Sequence, residues 1–343
     1  MPVFMIGTGR SGSNLLRLML NGLPRLAAPH PPHIMSRLTP LAPNYGDLEK
    51  RENFVQLLDD VCRLVELNPV PWEGVTLLRK DILQRCRRPT LTAAYEAVYD
   101  AMAEAWQART WCCTSLANIQ YLPQIEAHFR SPRYIYLYRD GRDVAVSLRK
   151  AVAGEKHFYH IAREWAATQQ CALGMRDRIG PSRFFSISYE TLTSEPEMSM
   201  RLLCKFLGVR FNKSMLEFYK SDEARRAAES SELWGNVVKP IMADNTRKFL
   251  REASKEDIRI FESVAGDVLG ALGYERVHVP RAGETSFSEE EIRRFDAENR
   301  RLKEEALDRA SITDFRQRDR QAALIQEIRD RGQMAPPSMR AIA

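Results

Sequence analysis

Val3-Phe4-Met5-Ile6-Gly7-Thr8-Gly9-Arg10-Ser11-Gly12-Ser13-Asn14-Leu15-Leu16 is the stretch on which the reading of this chain turns. Val3–Ile6 is a continuous apolar run, as expected of a strand buried on both faces. It passes at once into a glycine-rich turn and then into an amphipathic helix expected over Asn14–Asn21. A loop of backbone N–H groups that enters a helix amino terminus can cradle a phosphate or another oxyanion. The glycines allow the tight turn and close backbone approach. Arg10 adds a planar, always-protonated fork suited to oxyanions.

Working outward, short β-rich runs alternate with helical periodicity. Strands are expected at Val3–Ile6, Val75–Leu78, Thr110–Cys113, Tyr134–Tyr138 and Phe184–Ser188. Helices are expected at Asn53–Glu66, Thr92–Ala108, Ile119–His128, Asp143–Val152, Ala162–Met175 and Met198–Leu207. This alternation predicts an α/β fold, a P-loop-like and mostly parallel sheet flanked by helices. The proline-rich stretch Ala28–Tyr45 reads as a loop beside the site or a mobile lid, and residues 45–108 as a helical cap insertion. Residues 1–280 would form the α/β domain and 285–343 a charged helical C-terminal extension. Ser288 with Glu291 is a capping-box signature opening that tail. The tail is expected to be helical to about Arg331 and to fray after it. A helix docked on its own domain competes there with a coiled-coil helix forming a homodimer, in which Asn299 takes an a-type position.

The 343 residues are 44% hydrophobic and 28% charged, which excludes disordered and collagen-like classes. A net charge of +6 suits an anionic ligand but is too small and dispersed to imply a nucleic-acid partner. No stretch is apolar enough for a transmembrane segment, and Pro2–Ile6 already reads as strand, so neither a signal peptide nor an anchor is expected. Cys62, Cys86, Cys112, Cys113, Cys171 and Cys204 form no C-x-x-C pair, so no metal site is expected. Adjacent Cys112 and Cys113 read as buried strand thiols, which fits a reducing, cytoplasmic setting.

Three readings compete for the glycine turn. Gly7-x-Gly9-x-x-Gly12 matches the dinucleotide fingerprint, but the acid expected about 20 residues on is absent, and Ala28–His33 offers no second strand. A Walker A loop would carry a lysine where Ser13 stands, so a P-loop metabolite kinase loses its β/γ-phosphate contact. The third reading comes from resemblance. Arg10-Ser11-Gly12-Ser13-Asn14-Leu15-Leu16 resembles the 5′-phosphosulfate loop of sulfotransferases.

A second constellation resembles the same family. Tyr134–Tyr138 ends in Arg139-Asp140-Gly141-Arg142-Asp143, and Ser147 follows on the next helix, as in the family's 3′-phosphate motif. Ser188-Tyr189-Glu190-Thr191-Leu192 is similar to its Tyr-Glu-x-Leu segment. Val237-Val238-Lys239-Pro240 through Leu272-Gly273-Tyr274 is similar to the carboxyl end of the tyrosylprotein branch. The resemblance, covering residues 3 to about 275, implies that 3′-phosphoadenosine 5′-phosphosulfate (PAPS) is the sulfuryl donor. By it, Arg10, Ser11, Gly12, Ser13 and Asn14 bind the 5′ end, and Arg139 and Ser147 the 3′-phosphate. Tyr189 lies near the adenine and Lys239 reaches the nucleotide. Arg142 and Asp143 read as a structural pair.

Two departures from the family pattern matter. The position of the general-base glutamate is taken by Pro31, flanked by His30 and His33. Either histidine could take the acceptor's proton, and the sequence does not separate them. Relatives often carry a lysine before Thr114-Ser115, where this chain has Cys112 and Cys113, so Arg10 alone or Lys80 would stabilise the leaving group. These departures also leave open a nucleotide-binding sensor without catalysis. His157 and His160 read as structural residues beside the acceptor. Trp72, Trp106, Trp165 and Trp234 read as core, with Trp165 the candidate to line an acceptor pocket. The acceptor itself, small molecule, saccharide or lipid, is not legible.

Overall fold

A computed structural model describes residues 1–230, 232–278, 286–309 and 312–334. Five strands form one sheet in the order β2-β3-β1-β4-β5, and every pairing is parallel. They are β1 (Val3–Gly7), β2 (Leu26–Ala27), β3 (Thr110–Cys113), β4 (Arg133–Tyr138) and β5 (Phe184–Ser188).

The period of two along each strand divides the core. Phe4, Ile6, Tyr134 and Tyr136 face a layer built from the helices Arg51–Glu66, Leu91–Ala105 and Phe158–Ile179. Val3, Met5, Ile135 and Leu137 face the other layer, the helices Ser13–Asn21 and Pro196–Leu207. Both faces are therefore covered, which is why these strands lack polar alternation. Within the 45–108 segment, Leu91–Ala105 lies on the sheet itself, with Tyr95 and Tyr99 packed against Trp111.

The site is positioned by strand order. The chain leaves β1 for β2 and β3 on one side, then crosses to β4 and β5 on the other. In open parallel sheets such a reversal opens a crevice beyond the carboxyl ends of the strands flanking it. The register pairs Gly7 with Leu137, so the turn after β1 and the residues after β4 leave the sheet side by side.

Two expectations require correction. Val75–Leu78 is not a strand: the Val75 amide donates to the Trp72 carbonyl in a turn, and Leu77 anchors the segment through its buried side chain. The place beside β3 goes instead to Leu26–Ala27, whose two residues were too few to register as a periodic run. The loop expected over Ala28–Tyr45 is confined to residues 28–33, a buried irregular wall beside the site; residues 34–45 instead form the helix Ile34–Leu38 and the 3-10 turn Thr39–Tyr45, held by buried Ile34, Met35 and Leu38.

The C-terminal helices Glu289–Asp308 and Ile312–Met334 both pack on the chain. The capping box at Ser288 forms as expected. Asn299 does not serve a coiled coil: its Oδ1 accepts from the amides of Lys156 and His157 at 2.9 and 3.0 Å. In the last helix, Leu324 and Ile328 join the core beside Arg51–Glu66, and Arg63 Nη2 meets Glu327 Oε2 at 2.7 Å. The fraying expected after Arg331 falls mostly outside the described residues. With Leu324 only 2% exposed, Leu324→Ala should cost about 2–5 kcal/mol, seen as a lower Tm at unchanged mass in sedimentation equilibrium. A drop in mass without a lower Tm would instead place this helix between two copies of the chain.

Candidate active site

Backbone geometry shapes the loop after β1. Gly7 sits at φ 143°, where a Cβ would lie 2.2 Å from the Leu137 carbonyl oxygen. Gly12 is left-handed at φ 88° and caps the helix Ser13–Asn21; a Cβ there would lie 2.5 Å from the Tyr189 ring. Both close approaches exclude a side chain. The first amides of this helix have no intrahelical carbonyl to serve, so they are available to an anion.

The two arginine motifs meet. Arg139 Nη1 donates to the Arg10 carbonyl at 3.1 Å and Nη2 to the Asn245 carbonyl at 2.6 Å, and its guanidinium lies 4.3 Å from the centre of the Tyr189 ring. Arg10 Nε donates to Ser147 Oγ at 2.9 Å. Arg10, Gly12, Ser13, Asn14, Arg139, Tyr189 and Lys239 all line one cleft. Ser147 reaches the group through Arg10. Ser11 is turned inward and fully buried, its hydroxyl 3.1 Å from that of Thr8, and unlike its neighbours in the loop it does not line the cleft.

The cleft is electropositive. Arg139 is buried and its Nε has no hydrogen-bond partner. Burial, and then the charge of Arg139, push the pKa of Arg10 down from its ordinary value. Two guanidiniums held this close, partly out of water, create a demand for negative charge between them. Asp143 answers it weakly: its Oδ2 is 3.6 Å from Arg139, while its Oδ1 accepts from the Phe249 amide. The expected Arg142–Asp143 pair does not form. Arg142 is locked to Asp140 at 2.7 Å and to buried Glu262, and it stacks on Phe249, so it serves the scaffold.

A second cavity adjoins the first and shares Ser13, Asn14 and Trp234 with it. Arg17, His30, Pro31, His33 and Thr114 also line it. His30 is buried, its Nδ1 3.3 Å from Asn68 Oδ1, and Trp234 covers its ring at 4.9 Å between centroids. Burial, followed by the charges of Arg17, His33 and Arg37, drives the His30 pKa well below the ordinary imidazole value. His33 Nδ1 lies 2.9 Å from Ser115 Oγ.

Several expected neighbours lie elsewhere. Trp165 is 1% exposed and donates to the Arg139 carbonyl at 3.2 Å from the core below the cleft, so the cavity-lining tryptophan is Trp234. Lys80 is exposed and lines neither cavity. His157 and His160 pack toward the helix Glu289–Asp308, His157 stacking on Phe295 and His160 meeting Asp296. Cys112 and Cys113 are buried free thiols of β3, as expected. Arg17, Asn68 and Asn245 were not legible as site residues. Arg17, which no motif singled out, is 1% exposed, paired with Glu223 and bonded to Asn14 Oδ1 at 2.8 Å.

A model of the sulfotransferase family matches residues 2–213. Protein-tyrosine sulfotransferase A of Caenorhabditis elegans is 22% identical over 285 residues, which span 80% of this chain and 67% of that protein. Protein-tyrosine sulfotransferase 2 of Gallus gallus is 23% identical over 286 residues, spanning 80% of this chain and 69% of that protein. The sulfotransferase domain of the Synechococcus PCC 7002 olefin synthase shares the fold at a TM-score of 0.52 and 22% identity, covering 77% of this chain and 94% of the domain. The sulfotransferase domain from the curacin biosynthetic pathway does so at 0.51 and 22%, covering 80% and 99%. The matched residues contain the glycine loop, both cavity histidines, Arg139 and Tyr189, and this chain belongs to the sulfotransferase family.

Proposed function

We propose that this chain moves a sulfuryl group from PAPS to a hydroxyl of a small-molecule, saccharide or lipid acceptor, releasing adenosine 3′,5′-bisphosphate. The observation that carries this reading is the meeting of Arg10 and Arg139 in one cleft, where the buried Arg139 Nε lacks a partner. Such a site fits a nucleotide bearing an anion at each end. PAPS supplies an activated sulfuryl group whose departure leaves negative charge on the nucleotide.

The residues divide the work by position. Arg10 and the backbone of Ser11, Gly12, Ser13 and Asn14 would hold the 5′ end. Arg139 and Ser147 would hold the 3′-phosphate, Tyr189 would lie beside the adenine, and Lys239 would close the cleft. In a dry, preorganised site, donors aimed at developing charge supply most of the acceleration. Arg10 takes that role without the lysine common in relatives. His30 and His33 line the adjoining cavity, and one of them removes the acceptor's proton. A cytoplasmic setting suits the six free cysteines.

Calorimetry should show adenosine 3′,5′-bisphosphate binding in preference to ATP and NAD, without Mg²⁺. Equal binding of all three would undo the donor assignment. Arg139→Ala should weaken that binding by roughly 10-fold or more, given ~1.5–3 kcal/mol for a charge-assisted hydrogen bond; an unchanged Kd would remove Arg139 from the site. With radiolabelled PAPS and a panel of phenols, saccharides and glycolipids, at least one of His30→Ala and His33→Ala should lose about 10²–10⁴-fold in turnover. Full turnover in both variants would exclude a histidine base.

A further inference from the structure

His30 is held differently from His33, and the difference bears on which of them can act. Asn68 follows the helix Arg51–Glu66 and is 5% exposed. Its Nδ2 donates to the His30 carbonyl at 2.9 Å and to the Val70 carbonyl at 3.0 Å. Both partners can only accept, so the amide cannot be exchanged end for end without setting oxygen against oxygen. Asn68 Oδ1 is thereby committed to face His30 Nδ1, at 3.3 Å. An acceptor facing a ring nitrogen requires a proton on that nitrogen. Trp72 Nε1 donates to the same His30 carbonyl at 2.8 Å, pinning the backbone from the same segment.

On the condition that the cavity takes a hydroxyl acceptor for sulfuryl transfer, we infer that Asn68 is a positioning residue. It holds His30 in the Nδ1–H tautomer, leaves the Nε2 lone pair for the cavity, and so makes His30 the base. Nε2 takes the acceptor's hydroxyl proton and becomes part of an imidazolium, while the hydroxyl oxygen's electron pair bonds to sulfur and the leaving pair stays on the nucleotide product. Ser115 Oγ, 2.9 Å from His33 Nδ1, is a hydroxyl that can donate or accept, so that contact does not by itself select a tautomer.

Charge keeps His30 ready. Arg17 from the helix Ser13–Asn21, Arg37 from the helix Ile34–Leu38, and His33 all disfavour its protonation, after burial itself. Glu223, the nearby carboxylate, is engaged by Arg17 and Asn21. The neutral base form therefore persists below the pH at which a solvated imidazole would charge, and its titration lies below about 6.5.

Nitrogen-15 NMR of the histidine-labelled full chain with adenosine 3′,5′-bisphosphate present tests this without knowledge of the acceptor. At pH 7, His30, assigned by its loss in His30→Ala, should show a protonated Nδ1 and an unprotonated Nε2. Asn68→Ala should lose that single tautomer while its Kd for the bisphosphate stays the same, and Asn68→Asp should raise the His30 titration midpoint by about 1–3 units. A wild-type His30 protonated on Nε2 or on both nitrogens overturns the inference, as does an unchanged tautomer in a folded Asn68→Ala. If Asn68→Ala does not fold, the wild-type spectrum decides alone. Failure of the wild-type chain to bind the bisphosphate would count against the sulfuryl-transfer reading and leave the tautomer result standing.

Discussion

The parallel pairing of β1 with β4 is the constraint from which the site follows. It places Gly7 opposite Leu137, so the glycine turn and the Arg139 segment leave the sheet at the same edge. Gly7 and Gly12 have no side chains because the Leu137 carbonyl and the Tyr189 ring occupy the space a Cβ would need. The result is that the Arg139 guanidinium is tied to the backbone carbonyl of Arg10, while the Arg10 guanidinium is held by Ser147 in the same cleft. Holding two like charges there is unfavourable in isolation. The surrounding scaffold tolerates it because Asp143 is near and because Arg142, Asp140 and Glu262 form a separate ionic group with one more carboxylate than guanidinium.

That division of labour explains why neighbouring arginines on one motif differ in role. Arg142 is satisfied by two carboxylates and by the Phe249 face, so it has little to offer a ligand. Arg139 spends its terminal nitrogens on carbonyls and keeps Nε unpaired. Carbonyls compete less strongly than phosphate oxygens for a guanidinium, since only the phosphate carries the opposite formal charge. An arginine held by carbonyls is therefore preorganised and still available.

In the proposed reading a histidine of the neighbouring cavity stands where the family resemblance implies a carboxylate. A carboxylate beside Arg17 would be drawn into an ion pair and lose basicity. Here Arg17 already has Glu223. The positive field from Arg17 and Arg37 lowers the pKa of an imidazole as it would that of a carboxylate, and for His30 it disfavours the cation and keeps the ring neutral. Trp234, shared by the two cavities, closes over the same ring.

Much of this was legible in the amino-acid sequence by itself. Continuous apolar strands, the glycine turn entering a helix, and an arginine at the end of a later strand carry their own periodicity and spacing, so the α/β class and both anion-binding segments could be read from it. The sequence also supplied both histidines, but not a choice between them. Strand order, the two-residue β2, the burial of Arg17, the exclusion of Trp165, and the roles of Asn68, Trp234 and Asn245 were decided only by tertiary structure. The reason is physical: periodicity reports which face of an element is buried, whereas a tautomer, an orphaned guanidinium nitrogen or a shared cavity depends on groups far apart in the chain. Asn68 lies 38 residues from His30 and Asn245 lies 106 from Arg139, and no local pattern encodes either meeting.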